Sequence, residues 1–166
     1  MMHRILTALA MTLGLAGAQN PTTVILIRHA ERATASMSDA DAGLSPAGLK
    51  RAAQLERVLA DAHVQAIYTS TMPRTIQTAQ PLAKRLNLAP RQIDDLAALV
   101  KDLKAHPGQT VLVVHHSNTL PQIMEALGIS HPPAIADTQF DLLLIVTIGG
   151  PRPASFLTLH YGDATP

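Results

Sequence analysis

Arg28 and His29 stand side by side directly after the apolar run Thr22 to Ile27, and a histidine pair, His115-His116, closes the run that begins at Thr110. A further arginine, Arg74, follows the short segment Ala66 to Thr69. A phosphoryl group keeps negative charge on its non-bridging oxygens throughout transfer, so a site that handles it needs fixed cationic donors that do not lose their protons. Arg28 and Arg74 are such donors. A neutral imidazole attacks phosphorus and forms a phosphoramidate that water later hydrolyses, which divides one difficult displacement into two easier ones. His29, next to Arg28, has the type and place for that nucleophile. Cations around it oppose its protonation and keep the ring nucleophilic near neutral pH. One ring nitrogen must be tied by a hydrogen bond to fix the tautomer, and its partner is not legible in the residue order.

Other polar residues are secondary. Ser117 could donate to a phosphoryl oxygen or cap a helix. His63, His106, His131 and His160 lie beside turns or on a strand without complementary spacing and read as surface or satisfied residues. Neighbouring residues of an extended strand point to opposite sides, so His115 and His116 make a poor metal pair. No metal or cofactor is expected.

These side chains need elements to hold them. The run TTVILI reads as a fully buried strand that delivers Arg28 and His29 at its carboxyl end. Ala33 to Gly43, rich in Ser, Asp and Ala, reads as a loop over that end. Ser45-Pro46 starts a helix whose apolar face, including Leu49, Ala52, Leu55 and Leu59, runs to about Ala60. Ala66 to Thr69 is a second strand, and Pro73 to Leu86 a helix that Pro81 should kink. Asp95 to Lys104 forms a shorter helix, ended by His106-Pro107-Gly108. Thr110 to His115 is a third buried strand, and Thr119-Leu120-Pro121 opens a helix that Gly128 closes. Phe140 to Ile148 and Phe156 to Tyr161 form strands around the Gly149-Gly150-Pro151 turn, a hairpin. Alternating strands and helices predict an α/β fold, a three-layer αβα sandwich with a mostly parallel central sheet. Such sheets bind ligands at the carboxyl ends of their strands, which is where Arg28, His29, the residues after Thr69, and His115-His116 fall.

Four blocks now carry a resemblance: LIRHAE (26–31), LSPAG (44–48), IYTS (67–70) leading to RTIQTA (74–79), and VVHHSNT (113–119). Together, in this order, they resemble the histidine phosphatase superfamily in its phosphoglycerate-mutase-like branch. The resemblance implies a phosphatase with a phosphohistidine intermediate on His29. It places His116 as the second histidine, contacting the transferring phosphoryl group, and a protonated His116 would add a third cation. Arg32 resembles the second arginine of the acid-phosphatase branch, a phosphate ligand there; a solvated loop arginine is the equal alternative. His115 stands where relatives usually have glycine, so its side chain is expected to crowd or extend the pocket. Relatives that cleave alkyl phosphates commonly carry an acid on an inserted segment, whereas here only Asn87 to Gly108 spans most of that interval. Glu31, Asp94, Asp95 and Asp102 are available, but none sits in a recognisable acid motif, so no dedicated acid is expected.

Composition bounds the remainder. The 166 residues suit a single globular domain, and 47% hydrophobic against 15% charged residues excludes a disordered tail. His3 and Arg4 precede the uncharged run Ile5 to Ala16 and the small-residue exit Ala16-Gly17-Ala18, which predicts a signal peptide over residues 1–18 and a mature domain over 19–166. The run is shorter than the ~20 residues a bilayer span needs, so no stable membrane insertion is expected after cleavage. Cleavage removes Arg4 alone among charged residues, which leaves 12 acidic residues matched by as many basic ones and nothing to attract nucleic acid. The chain has no cysteine, which excludes thiol catalysis and a disulfide framework. The expected location is periplasmic or secreted, and the expected partner a phosphorylated small molecule, an envelope component or a phosphoprotein. The short architecture resembles compact phosphohistidine phosphatases, and export points instead to relatives acting on envelope phosphates such as lipopolysaccharide sugar phosphates. A phosphoglycerate-type mutase fits less well, because most insertions that hold a sugar acid are missing. A non-catalytic phosphate-binding or interaction module is the alternative from another class.

Overall fold

The computed structural model describes residues 20–33 and 42–166. The signal peptide expected over residues 1–18, and the loop expected over Ala33 to Gly43 apart from its ends, lie outside the described residues. The elements run β1 (Thr22–Arg28), α1 (Pro46–Val58), β2 (Ala66–Thr69), α2 (Pro73–Leu86), β3 (Arg91–Gln92), α3 (Leu96–Ala105), β4 (Thr110–His115), α4 (Leu120–Ala126), β5 (Leu142–Ile148) and β6 (Ser155–His160). The strands form one sheet in the order β3-β2-β4-β1-β5-β6. Its first four strands are parallel, and β5 and β6 add to it antiparallel, so the sheet is mixed at one side. β5 and β6 form the expected hairpin.

Alternation along the strands divides the core into two layers. Val24, Leu26, Val111, Val113, Leu144 and Val146 pack with Leu99 and Leu103 of α3 and Ile123 and Met124 of α4. Ile25, Ile27, Leu112 and Val114 pack on the other face with Leu55 of α1 and Ala79 and Leu82 of α2. Burial on both faces is why β1 and β4 read as continuous apolar runs. Helix α2 runs through Pro81 without interruption from Pro73 to Leu86. No described helix is long and apolar enough to cross a membrane.

Two local features fix the turn after β1. Ser45 caps α1, its side chain accepting from Gly48 N–H at 3.1 Å. A Cβ on Gly48 would lie 2.1 Å from the Glu31 carbonyl oxygen, so only glycine lets the helix start approach this backbone. Ser45 N–H in turn donates to that same carbonyl at 2.9 Å.

Candidate active site

The register of β1 with β4 pairs Arg28 with His115, so His29 and His116 leave adjacent parallel strands side by side. Their ring centroids are 5.4 Å apart in an edge-on arrangement. The backbone there is braced: His29 N–H donates to His115 O at 2.9 Å, and Ala30 N–H to Thr78 Oγ1 of α2 at 2.9 Å. Arg74, on the first turn of α2, is close enough to depress the basicity of both histidines.

His29 is 4% exposed. Its Nδ1 lies 2.8 Å from the carbonyl oxygen of Ala30, and because a carbonyl only accepts, Nδ1 carries the proton and Nε2 the lone pair. That supplies the tautomer-fixing partner the sequence left open. The His29 pKa is lowered to about 3, first by burial and only then by the charges of Arg28, His116 and Arg74. The arginines expected to keep this ring neutral are therefore the smaller influence. His116 is lowered to about 4, again chiefly by burial, so the resting site does not hold it as a third cation. Its Nε2 lies 3.0 Å from Ser70 Oγ.

Arg28 is 5% exposed and gripped by a segment that sequence reasoning did not single out. Its Nη1 donates to Ala136 O at 2.9 Å and Gln139 O at 3.2 Å, and its guanidinium carbon sits 4.1 Å from the Phe140 ring centroid. Asp137 Oδ1 stands 3.8 Å from Nη2. Arg28 Nε is buried and has no hydrogen-bond partner among the described residues, an N–H that an incoming oxygen would satisfy. Phe140 also flanks His29, with ring centroids 6.2 Å apart. No spacing rule links residues 136–140 to Arg28; the only signal was a phenylalanine in a chain that has two.

The secondary candidates divide. Arg32 bridges to Leu44 beside the site and adds its charge to the field at Arg28. Ser117 does not cap α4: its hydroxyl donates to Asp137 Oδ1 at 2.9 Å, and Thr119 precedes the helix. His115 is buried, with Nδ1 2.7 Å from Thr119 Oγ1 and Nε2 3.5 Å from Ile93 O, so its side chain is engaged within the fold. Among the described residues no group of three or more His, Asp or Glu is arranged to hold a metal ion.

Each carboxylate weighed as an acid has another occupation. Glu31 takes a bidentate grip from Arg51, with Nε 3.0 and 3.1 Å from its two oxygens. Asp94 accepts from Thr71 N–H at 2.9 Å and Thr71 Oγ1 at 2.6 Å, and these bonds hold it below the usual carboxylate range. Asp95 caps α3 through Ala97 and Ala98 N–H. Asp102 pairs with Arg91 and accepts from Tyr68 OH.

Residues 24–99 match the model of the histidine phosphatase superfamily (branch 1). That span contains Arg28, His29 and Arg74 and ends before His116. No curated protein matches the sequence. Among solved structures, a protein proposed to be the phosphohistidine phosphatase SixA of Nakamurella multipartitia is 22% identical, with a TM-score of 0.66 over 86% of this chain and 98% of that one. The protein histidine phosphatase SixA in complex with tungstate is 18% identical, with a TM-score of 0.67 over 83% of this chain and 96% of that one. YhfR of Bacillus stearothermophilus is 21% identical, with a TM-score of 0.64 over 86% and 98%. At these identities the likeness is one of fold.

Proposed function

The chain belongs to the histidine phosphatase superfamily, and we propose that it hydrolyses a phosphate monoester or phosphoramidate, without metal, through a phosphohistidine on His29. The observation that carries this reading is the His29 ring itself, buried, neutral, and committed through Nδ1–H to the Ala30 carbonyl. Nε2 is then the atom that attacks phosphorus as the bond to the departing oxygen or nitrogen breaks. Arg28 and Arg74 hold the non-bridging oxygens, Arg28 with the Nε–H that lacks a partner. Water next attacks the phosphohistidine, the Nε2–P bond breaks, and inorganic phosphate leaves. His116 contacts the transferring group, and Arg32 is a further ligand for it.

The engagement of Glu31, Asp94, Asp95 and Asp102 by other groups supports substrates whose leaving groups need little protonation, phosphoramidates and acyl or aryl phosphates before simple sugar phosphates. A phosphorylated protein side chain, a small molecule or an envelope component could each present such a group. We propose export on the sequence of residues 1–18, with the mature chain starting at Gln19, which N-terminal sequencing of the secreted protein checks.

The decisive experiment is to incubate the protein with p-nitrophenyl phosphate and quench. Wild type should yield acid-labile protein-bound phosphate and turnover insensitive to chelators but blocked by vanadate; His29→Ala should yield neither phosphate incorporation nor turnover. Undiminished hydrolysis by His29→Ala would remove this mechanism.

A further inference from the structure

The hydroxyl pair behind His116 has an order of protons that its distances determine. Ser70 and Thr75 are fully buried. Thr75 Oγ1 lies 2.8 Å from Met72 O and 3.1 Å from Ser70 O. Two oxygens so close need a proton between them, and carbonyls have none to give, so the Thr75 proton points at the backbone. Ser70 Oγ is 2.9 Å from Thr75 Oγ1, and that contact must then be bridged by the Ser70 proton. Ser70 Oγ is left with lone pairs only. Met72 N–H donates to one at 3.3 Å, and the remaining neighbour, His116 Nε2 at 3.0 Å, must bring its own proton.

We infer that Ser70 is a positioning residue for His116: backed by Thr75, it makes the ring carry its proton on Nε2 and leaves Nδ1 as an acceptor. The inference rests on the reading of His116 as the group that meets the transferring phosphoryl. It has a chemical consequence for that role. The one ring N–H of neutral His116 is committed to Ser70, so His116 enters the reaction as a base. It stabilises phosphoryl charge as an imidazolium only after Nδ1 has taken a proton, which the attacking water supplies in the second step as its oxygen bonds to phosphorus and Nε2 of His29 departs. The same short hydroxyl chain holds the ring plane, because Ser70 and Thr75 are themselves fixed at the β2–α2 turn.

The test reads the tautomer directly by nitrogen NMR of the full chain with labelled histidine, without substrate. Wild-type His116 should show a protonated Nε2 and an unprotonated Nδ1. Thr75→Val removes the acceptor for the Ser70 proton, which then turns to Nε2 and shifts the ring to the Nδ1–H form; Thr75→Ser keeps the hydroxyl and the wild-type pattern. In turnover, Ser70→Ala and Thr75→Val should lower kcat about tenfold with KM within about twofold, as removal of an orienting partner does, and Thr75→Ser should stay close to wild type. An Nδ1–H ring in the wild type, or a tautomer and kcat indifferent to both Thr75→Val and Ser70→Ala, overturns the inference. The expected tautomer shift in a protein that never turns over phosphate would uphold the relay and overturn the phosphatase reading instead.

Discussion

His29 sits 4% exposed with a pKa near 3, against about 6.5 for the free side chain, and the difference has two observable signs. Between these values the unfolded chain binds a proton that the folded chain refuses, so stability is greatest above pH 6.5 and falls as pH drops towards 3. The slope from this residue is about 1.4 kcal/mol per pH unit, and His116, lowered to about 4, acts in the same direction. Urea melts at successive pH values should show that decline. The activity profile should behave oppositely: kcat/KM, corrected for ionisation of the substrate phosphate, should show no loss of the nucleophile near pH 6.5, and its acid limb should appear only near pH 4 or below. Residue types singled out His29, Arg28 and Arg74, which the fold brings together, because phosphoryl chemistry uses few side chains. They did not reveal that burial outweighs charge at His29, since burial belongs to the packed ring and not to its neighbours in the chain. A second prediction follows from the occupied carboxylates. A positioned acid contributes about 10²- to 10⁴-fold when an alkyl oxygen departs, so without one kcat/KM should rise steeply as the leaving group becomes less basic. Asp94→Asn should change alkyl phosphate cleavage less than about threefold. Selective loss of that cleavage in the variant would identify Asp94 as the acid.

At the scale of elements, β1 and β4 were readable because strands buried on both faces write themselves as unbroken apolar runs, and the two histidines had to emerge together at their ends. The two-residue strand Arg91–Gln92 was not readable: both residues are exposed and polar. Nor was the placement of β5 against β1, because a long-range antiparallel pairing leaves no local mark on either segment. The segment from Ala136 to Phe140 left no such mark either, yet it sets which edge of Arg28 is engaged and which, at Nε, is not. Two carbonyls hold Nη1 and the Phe140 ring backs the guanidinium, while Asp137, 67% exposed, stands at the outer nitrogen. Phe140→Ala should therefore cost roughly tenfold in kcat/KM, the value of one desolvated cation–π contact of somewhat over 1 kcal/mol. Asp137→Asn should move the other way and tighten vanadate binding, by no more than about fivefold, because an exposed carboxylate competes only weakly for the cation. Inhibition curves for the two variants would separate these effects; weaker vanadate binding by Asp137→Asn would show that its charge orders Arg28 instead of competing.

Across the whole molecule, one buried arginine joins parts of the chain that no sequence motif connects. Arg51 of α1 is 3% exposed; it grips Glu31, two residues after His29, and donates to Tyr161 O at 3.0 Å and Asp163 O at 2.9 Å in the chain beyond β6. The tail continues inward, where Thr165 Oγ1 donates to Asp141 Oδ1 at 2.7 Å and accepts from Phe140 N–H, so the brace reaches the segment that holds Arg28. An arginine on the apolar side of a helix gives no hint of these partners, and the two carbonyls lie more than a hundred residues away in the tail. Removing one member of such a pair leaves a carboxylate and two carbonyls without their donor, a loss of about 3–5 kcal/mol. Arg51→Ala should accordingly lower Tm by on the order of 10 °C for a domain of this size. Replacing both partners by apolar residues, Arg51→Leu with Glu31→Leu, removes the stranded charge, so the double variant should be more stable than Arg51→Ala. Assayed well below its melting range, that double variant should also retain kcat within about threefold of wild type, because Glu31 serves the fold and donates no proton to the leaving group. A double variant that folds yet loses alkyl phosphate cleavage while keeping p-nitrophenyl phosphate turnover would assign the acid to Glu31.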